Sequence, residues 1–366
     1  MRRKITRRLL SSGHSGLSWS GRGATPQGGA RDGGAFRGGA RDSETQVEVR
    51  RVPWRTTYAR VSTVGREGSR AFVLVPGIGV SSNYFERLAA QLNDFGPVHA
   101  LDLPGFGGVP HPESGRMTIP EYADLVGKVI DELELDDPVV IGHSMGTQVV
   151  ADLAARYPDG FAGSDRLSCI ILLGPVLAPD DRSLGIAARR FLQAARREPP
   201  RVALLAVQAY VLCGVRWFSR VLPEMMHYPI EDTLPKVRSN TLVISGQLDT
   251  LCPPGWIDEV VALLPSCRVS IIPNAAHSIM HAHADEVARL AIEHVRRPGT
   301  DPLPDVPPVS ANKSETKDAP RGLDELTGQV TELVGIVTDD DATIAEGKTA
   351  QAEAIEEGIA RAEHSD

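Results

Sequence analysis

The chain has 366 residues, 42% of them hydrophobic and 23% charged, which fits a soluble globular protein with a sizeable core. Its formal net charge of -8 is unevenly spread: residues 1–50 carry ten Lys/Arg against four Asp/Glu, residues 301–366 carry five against sixteen, and residues 51–300 carry 24 against 27. A basic head and an acidic tail on a neutral body predict one folded unit with two appendages, and four cysteines without CxxC pairing or ligand spacing argue against a disulfide framework or a zinc site.

Residues 1–45 are rich in Gly and Arg, and Gly28-Gly29-Ala30-Arg31-Asp32 recurs as Gly38-Gly39-Ala40-Arg41-Asp42. Such a composition cannot bury enough apolar surface to offset chain entropy, so a disordered tail is expected. A nucleic-acid partner is not expected, because Trp19 and Phe36 are the only aromatic residues available for base stacking there. Thr6-Arg7-Arg8-Leu9-Leu10 faintly resembles a twin-arginine signal, but no apolar region follows it, so the expected location is cytoplasmic.

From residue 46 the pattern becomes regular. Gln46 to Val52 and Tyr58 to Val64 read as an antiparallel pair. Apolar runs at Phe72–Val75, Val98–Asp102, Val139–Gly142, Cys169–Leu173, Leu242–Ser245 and Val269–Ile272 read as buried strands. Amphipathic helices alternate with them, as in Pro120 to Leu135. This alternation predicts an α/β fold with a mostly parallel sheet and helices on both faces, over 46–174 and 240–298. Residues 175–239 interrupt it with no strand signal. They are Arg-rich at first and then strongly apolar, and read as a helical cap whose apolar face roofs a pocket. The longest apolar stretch, Val202 to Val215, is too short to span a bilayer, so no membrane span is expected. Residues 299–366 read as a Pro-rich linker and an acidic tail. Leu323, Leu326, Val330, Leu333 and Val337 recur there at helical spacing, and Asp339 to Asp366 reads as a solvated helix. On this reading residues 46–300 suffice for a stable, active unit.

The chemistry concentrates at the ends of these strands. Gly142-His143-Ser144-Met145-Gly146 joins a strand to a helix, and two glycines permit the sharp turn that lifts a serine hydroxyl clear of the backbone. Ser144 is the candidate nucleophile. A hydroxyl needs a base, and His277 follows a strand whose end faces the same side as Ser144. His143 is expected to point away into the fold, and a metal pair at His281 and His283 has no matching carboxylate. Asp249, just past Leu242–Ser245, is the candidate acid that fixes the His277 tautomer, whereas Asp102 reads as a turn-organising residue. The backbone N–H groups of Ile78 and Met145 are the candidate oxyanion donors. Neither a cofactor nor a metal is expected.

These segments, with Pro76-Gly77-Ile78-Gly79, Asp102-Leu103-Pro104-Gly105-Phe106-Gly107, Gly246-Gln247-Leu248-Asp249 and Asn274-Ala275-Ala276-His277, resemble in order and spacing the motifs of capped α/β-hydrolases over about residues 55 to 297. One departure is Pro76-Gly77, where many relatives have His-Gly. The resemblance implies a serine hydrolase of the esterase/lipase-like branch, acting through an acyl-enzyme on an ester, thioester or lactone of a small, largely apolar molecule. Ser144 stands where dehalogenases and epoxide hydrolases of the family have an aspartate. Carbon-carbon bond hydrolysis, cofactor-free perhydrolase chemistry and a non-catalytic ligand-binding role remain as alternatives. The first is disfavoured because Ser278, and not a tryptophan, follows His277.

Overall fold

The computed structural model describes residues 46–65, 68, 70–158, 167–301 and 323–363. The Gly/Arg-rich segment 1–45 and the Pro-rich stretch 302–322 lie outside the described residues.

Among the described residues, eight strands form one sheet in the order β1-β2-β4-β3-β5-β6-β7-β8. β1 (Val47–Trp54) and β2 (Thr57–Val64) are antiparallel to each other, and β2 is antiparallel to β4 (Val98–Asp102). β3 (Phe72–Val75), β5 (Val139–His143), β6 (Cys169–Leu173), β7 (Asn240–Gly246) and β8 (Cys267–Ile272) continue in parallel from β4. The central strands β3 to β6 are buried along their whole length, which explains their unbroken apolar runs: both faces are covered.

The strand period of two divides each central strand between two cores. Val73, Val75, Val140, Ile170 and Leu172 face one core with α2 (Ile119–Glu132), α3 (Met145–Arg156) and α8 (Pro254–Leu263). Phe72, Leu74, Ile141, Ile171 and Leu173 face the other, with α1 (Glu86–Leu92) and α10 (Ala284–Arg296), which follows the short α9 (Ile279–Ala282). Thr118 opens α2 through a reciprocal capping box with Glu121, followed by Pro120 in the first turn, so this helix starts where its sequence says it should.

Between β6 and β7 stand α4 (Leu184–Ala195), α5 (Pro200–Cys213), α6 (Val215–His227) and α7 (Ile230–Thr233). This segment contributes to both cores: Val202, Leu205 and Ala209 enter one, and Trp217, Val221 and Met225 the other.

The C-terminal segment departs from its expected solvation. α11 (Leu323–Thr338) and α12 (Asp341–Glu363) form a hairpin, and α12 lies against β1 and α1. Gly328, Gly335 and Gly347 line the crossing. A Cβ at Gly347 would stand 2.3 Å from the Glu332 nitrogen, so only glycine permits this approach. That contact turns the glycine face inward. Val330, Leu333 and Val337 of the apolar stripe are consequently exposed, at 63%, 48% and 76%. Inside lie Ile344 and a charged set. Buried Lys348 reaches Glu332 at 3.1 Å, Ser82 Oγ at 3.0 Å and Asn83 Oδ1 at 2.5 Å, while Gln351 donates to Glu332 at 2.8 Å. Arg51 binds Asp341 at 2.5 Å and Asp339 at 2.8 Å on the same flank. Residues 46–300 by themselves would therefore expose the Ser82–Asn83 turn that this hairpin covers.

Candidate active site

Ser144 occupies the turn between β5 and α3 with φ 56° and ψ -121°, a backbone conformation that L side chains rarely adopt. Neighbouring glycines make it possible. A Cβ at Gly142 would lie 2.3 Å from the Gly146 carbonyl oxygen, and one at Gly146 would lie 2.3 Å from that of Val75. The strand and the helix touch backbone to backbone, and the serine stands at the tip. Its N–H donates to the Leu173 carbonyl at 3.0 Å, which ties the turn to the neighbouring strand.

His277 and Asp249 come from the loops after β8 and β7. His277 Nδ1 and Asp249 Oδ2 are 2.7 Å apart, and both residues are buried. Asp249 Oδ1 accepts from the Leu251 N–H at 2.8 Å and the Cys252 N–H at 3.3 Å, so the carboxylate is fixed at both oxygens. Burial raises its pKa, but the His277 charge and these hydrogen bonds outweigh burial and hold it below its ordinary 3.8. For His277 burial acts downward, and the Asp249 charge and hydrogen bond, with a smaller contribution from Glu198, overcome it and raise the imidazole above 6.5. His277 Nε2 is buried and has no hydrogen-bond partner among the described residues. The pair thus presents one nitrogen with an unused lone pair.

Gly174 makes room for this pair. It has φ 56°, and a Cβ there would come within 3.1 Å of the His277 ring and 3.2 Å of Asp249 Oδ2.

Ser144, His277 and Ile78 line a cavity of about 630 Å3 whose wall is otherwise mostly apolar, with Val176, Leu177, Phe191 and Met225 among its members. A Cβ at Gly77 would meet the Ser144 Cβ at 2.9 Å, so the loop carrying Ile78 passes directly beside the serine. Met145 is the first residue of α3, where a helix N–H has no intrahelical acceptor.

Three residues near the site escaped sequence reasoning in part or whole. His143 does not turn away: its Nε2 donates to the His277 carbonyl at 3.2 Å, and the two rings lie 4.7 Å apart. Burial and the His277 charge hold its pKa well below 6.5, so it is a neutral prop. Glu198, between α4 and α5, lines the cavity and accepts from the Ser278 N–H at 2.9 Å. Nothing in its local sequence marks it. Cys252 donates its thiol to the Pro175 carbonyl at 2.8 Å.

Asp102 is buried and organises a turn: its Oδ1 accepts from the Ser82 N–H at 2.7 Å, beside Arg60 at 3.6 Å. Arg60 in turn donates to the Gly107 carbonyl at 2.8 Å. Among the described residues, Asp249, Cys252 and His277 bring ligand-type atoms within 4.8 Å of one another. The Asp249–His277 bond occupies Nδ1 and Oδ2, Asp249 Oδ1 accepts from two backbone N–H groups, and burial pushes the Cys252 thiol well above its ordinary range, away from the thiolate that binds metals. This set fits a proton-handling pair better than a metal centre.

Residues 72–290 match the family described as the alpha/beta hydrolase family. The pimeloyl-[acyl-carrier protein] methyl ester esterase of Neisseria meningitidis serogroup A is 25% identical over 275 residues, covering 67% of this chain and 84% of that one. Two solved structures share the fold. A thermophilic esterase from Thermogutta terrifontis has a TM-score of 0.56 at 22% identity, covering 68% of this chain and 98% of its own. The enol-lactonase from Burkholderia xenovorans LB400 has a TM-score of 0.56 at 19% identity, covering 66% and 97%.

Proposed function

The chain belongs to the alpha/beta hydrolase family, and from that premise we propose that it is a serine hydrolase cleaving a carboxylic ester, thioester or lactone of a small, largely apolar substrate through an acyl-enzyme. The observation that carries this reading is the buried Asp249–His277 pair, with Nε2 unpartnered among the described residues, lining the same apolar cavity as the strained Ser144.

In this mechanism Ser144 Oγ attacks the substrate carbonyl as its proton passes to His277 Nε2. Asp249 holds Nδ1–H, so that Nε2 is the basic nitrogen, and it stabilises the imidazolium that forms. The tetrahedral oxyanion faces the N–H groups of Ile78 and Met145. Collapse breaks the bond to the alcohol, thiol or lactone oxygen, which takes the proton from His277. A water activated by the same imidazole then hydrolyses the acyl-Ser144 ester and returns the serine.

The cavity and the relatives support this substrate class. About 630 Å3 suits a small acyl group, and the wall offers few polar contacts. A methyl ester esterase and an enol-lactonase among the similar proteins support oxygen-ester chemistry. Four free cysteines support a reducing, cytoplasmic setting, and no helix among the described residues is long and apolar enough to cross a membrane.

The test is covalent. A fluorophosphonate probe should label the wild-type protein at Ser144, and a series of p-nitrophenyl esters should be turned over with a preference set by acyl length. A folded protein that neither labels nor turns over any ester would refute the reading.

A further inference from the structure

Among the described residues, four titratable groups face His277. Asp249 and Cys252 come from the loop after β7, His143 from β5, and Glu198 from the segment between α4 and α5. Two of these are neutral: burial keeps the Cys252 thiol protonated and the His143 ring uncharged. Asp249 and Glu198 are the two acids.

Glu198 is held in place from the catalytic side. Its Oε1 accepts from the N–H of Ser278, the residue directly after His277, across 80 positions of sequence. The other oxygen, Oε2, is buried without a hydrogen-bond partner among the described residues. A carboxylate with one unsatisfied buried oxygen costs stability, and such groups are retained where they act. The His277 ring lines the same cavity, and its charge pulls the Glu198 carboxyl down.

We propose that Glu198 is a positioning residue, through which the segment between β6 and β7 holds the backbone after His277 and favours the imidazolium that His277 becomes on taking the Ser144 proton. The inference rests on the Ser144–His277 mechanism above. The proton moves only between Ser144, His277 and the leaving group, and Glu198 neither gives nor takes it. Asp249 fixes the tautomer from one side and Glu198 fixes the loop from the other. Burial pushes the Glu198 carboxyl up, with His277 and the Ser278 N–H pulling against it, so its support fades as the solution is acidified.

Two variants of the full-length protein separate the parts. Glu198→Gln keeps an oxygen to accept from Ser278 and removes the charge; Glu198→Ala removes both. In Glu198→Gln the acid limb of kcat/KM should move to lower pH by about half a unit, because the imidazolium loses a stabilising neighbour. The plateau kcat should fall by about threefold, with KM for a short p-nitrophenyl ester unchanged within about twofold. Glu198→Ala should lose more kcat than Glu198→Gln. An unmoved acid limb in Glu198→Gln, or a loss confined to KM in both variants, overturns the proposal and leaves Glu198 as mere pocket lining. If Glu198→Ala fails to fold, the near-isosteric glutamine variant still decides. A wild-type protein that labels with fluorophosphonate while Glu198→Gln keeps its pH profile refutes this inference alone. A wild type that never labels refutes the underlying mechanism, and this inference with it.

Discussion

Two buried polar clusters divide the work of this molecule. One is the Asp249–His277 pair beside Ser144; the other is the Lys348–Glu332 pair with Ser82, Asn83 and Gln351. The Lys348 ammonium has three partners, so its hydrogen-bonding capacity is used up. His277 has an unused nitrogen at an apolar cavity. Buried polar groups are nearly always paired in folded proteins, so an unpaired nitrogen at a cavity marks chemistry, whereas an ammonium with all three donors used marks structure. The two meet near the same loop. Lys348 grips the turn at Ser82–Asn83, which lies three residues beyond Gly79 of the loop that passes Ser144.

The comparison can be broken most sharply at the catalytic cluster. Ser144→Ala should lower kcat by more than about a thousandfold while leaving Tm nearly unchanged, because a small side chain is exchanged for a smaller one. Asp249→Asn should cost about four decades in kcat at neutral pH, because an amide donates to Nδ1 and selects the wrong tautomer. Thermal melts and steady-state kinetics on the same samples check both. A well-folded Asp249→Asn protein with near-normal turnover would reassign the acid.

The hairpin cluster should respond the other way. Lys348→Met leaves Glu332 buried without its cation and should destabilise the fold by about 3–5 kcal/mol, read by urea denaturation, with kcat per folded molecule within about tenfold of wild type. Adding Glu332→Leu to it should restore part of the loss. For Lys348 burial lowers the pKa, and the charges of Glu332, Asp102 and Glu86 overcome this and raise it above the ordinary 10.5. The stability it contributes is therefore complete below pH 10.5 and is lost as pH rises through the folded value. A single variant whose urea midpoint equals that of wild type would show that the hairpin is an ornament on the body.

Gly174→Ala tests the space between the two halves of the catalytic pair. The left-handed backbone and the added methyl against His277 and Asp249 should together cost about 1 kcal/mol or more of stability, with a larger proportional fall in kcat. Equal turnover by the alanine variant would show that the pair tolerates displacement.

The smallest effect is a matter of degree. Neutral His277 is the base, so activity falls as pH drops through its raised pKa, and the midpoint of the acid limb of kcat/KM should lie above pH 6.5. Asp249, held below 3.8, stays ionised across that range. A midpoint below pH 6 would contradict the balance of burial and charge described for His277.

What the sequence determined by itself is the part encoded by short-range rules. Unbroken apolar runs between amphipathic helices dictate a parallel sheet covered on both faces, because only a strand buried on both sides tolerates Val73, Leu74 and Val75 in succession. Gly142, Ser144 and Gly146 specify their own turn, since the glycines remove the atoms that would clash. Strand-end position and chain order were enough to nominate His277 and Asp249, which the fold brings to 2.7 Å. Only the tertiary structure could supply what depends on distant pairs. His143 props the His277 backbone because two strand ends converge. Glu198 reaches Ser278 because the segment between β6 and β7 lines the same cavity as His277. The acidic tail becomes a docked hairpin because three glycines allow a close crossing and one buried lysine finds partners 265 and 266 residues away. Val330, Leu333 and Val337 of its apolar stripe stay exposed: periodicity reports a side chain's direction on its own helix, while the tightest available contact decides which side turns inward.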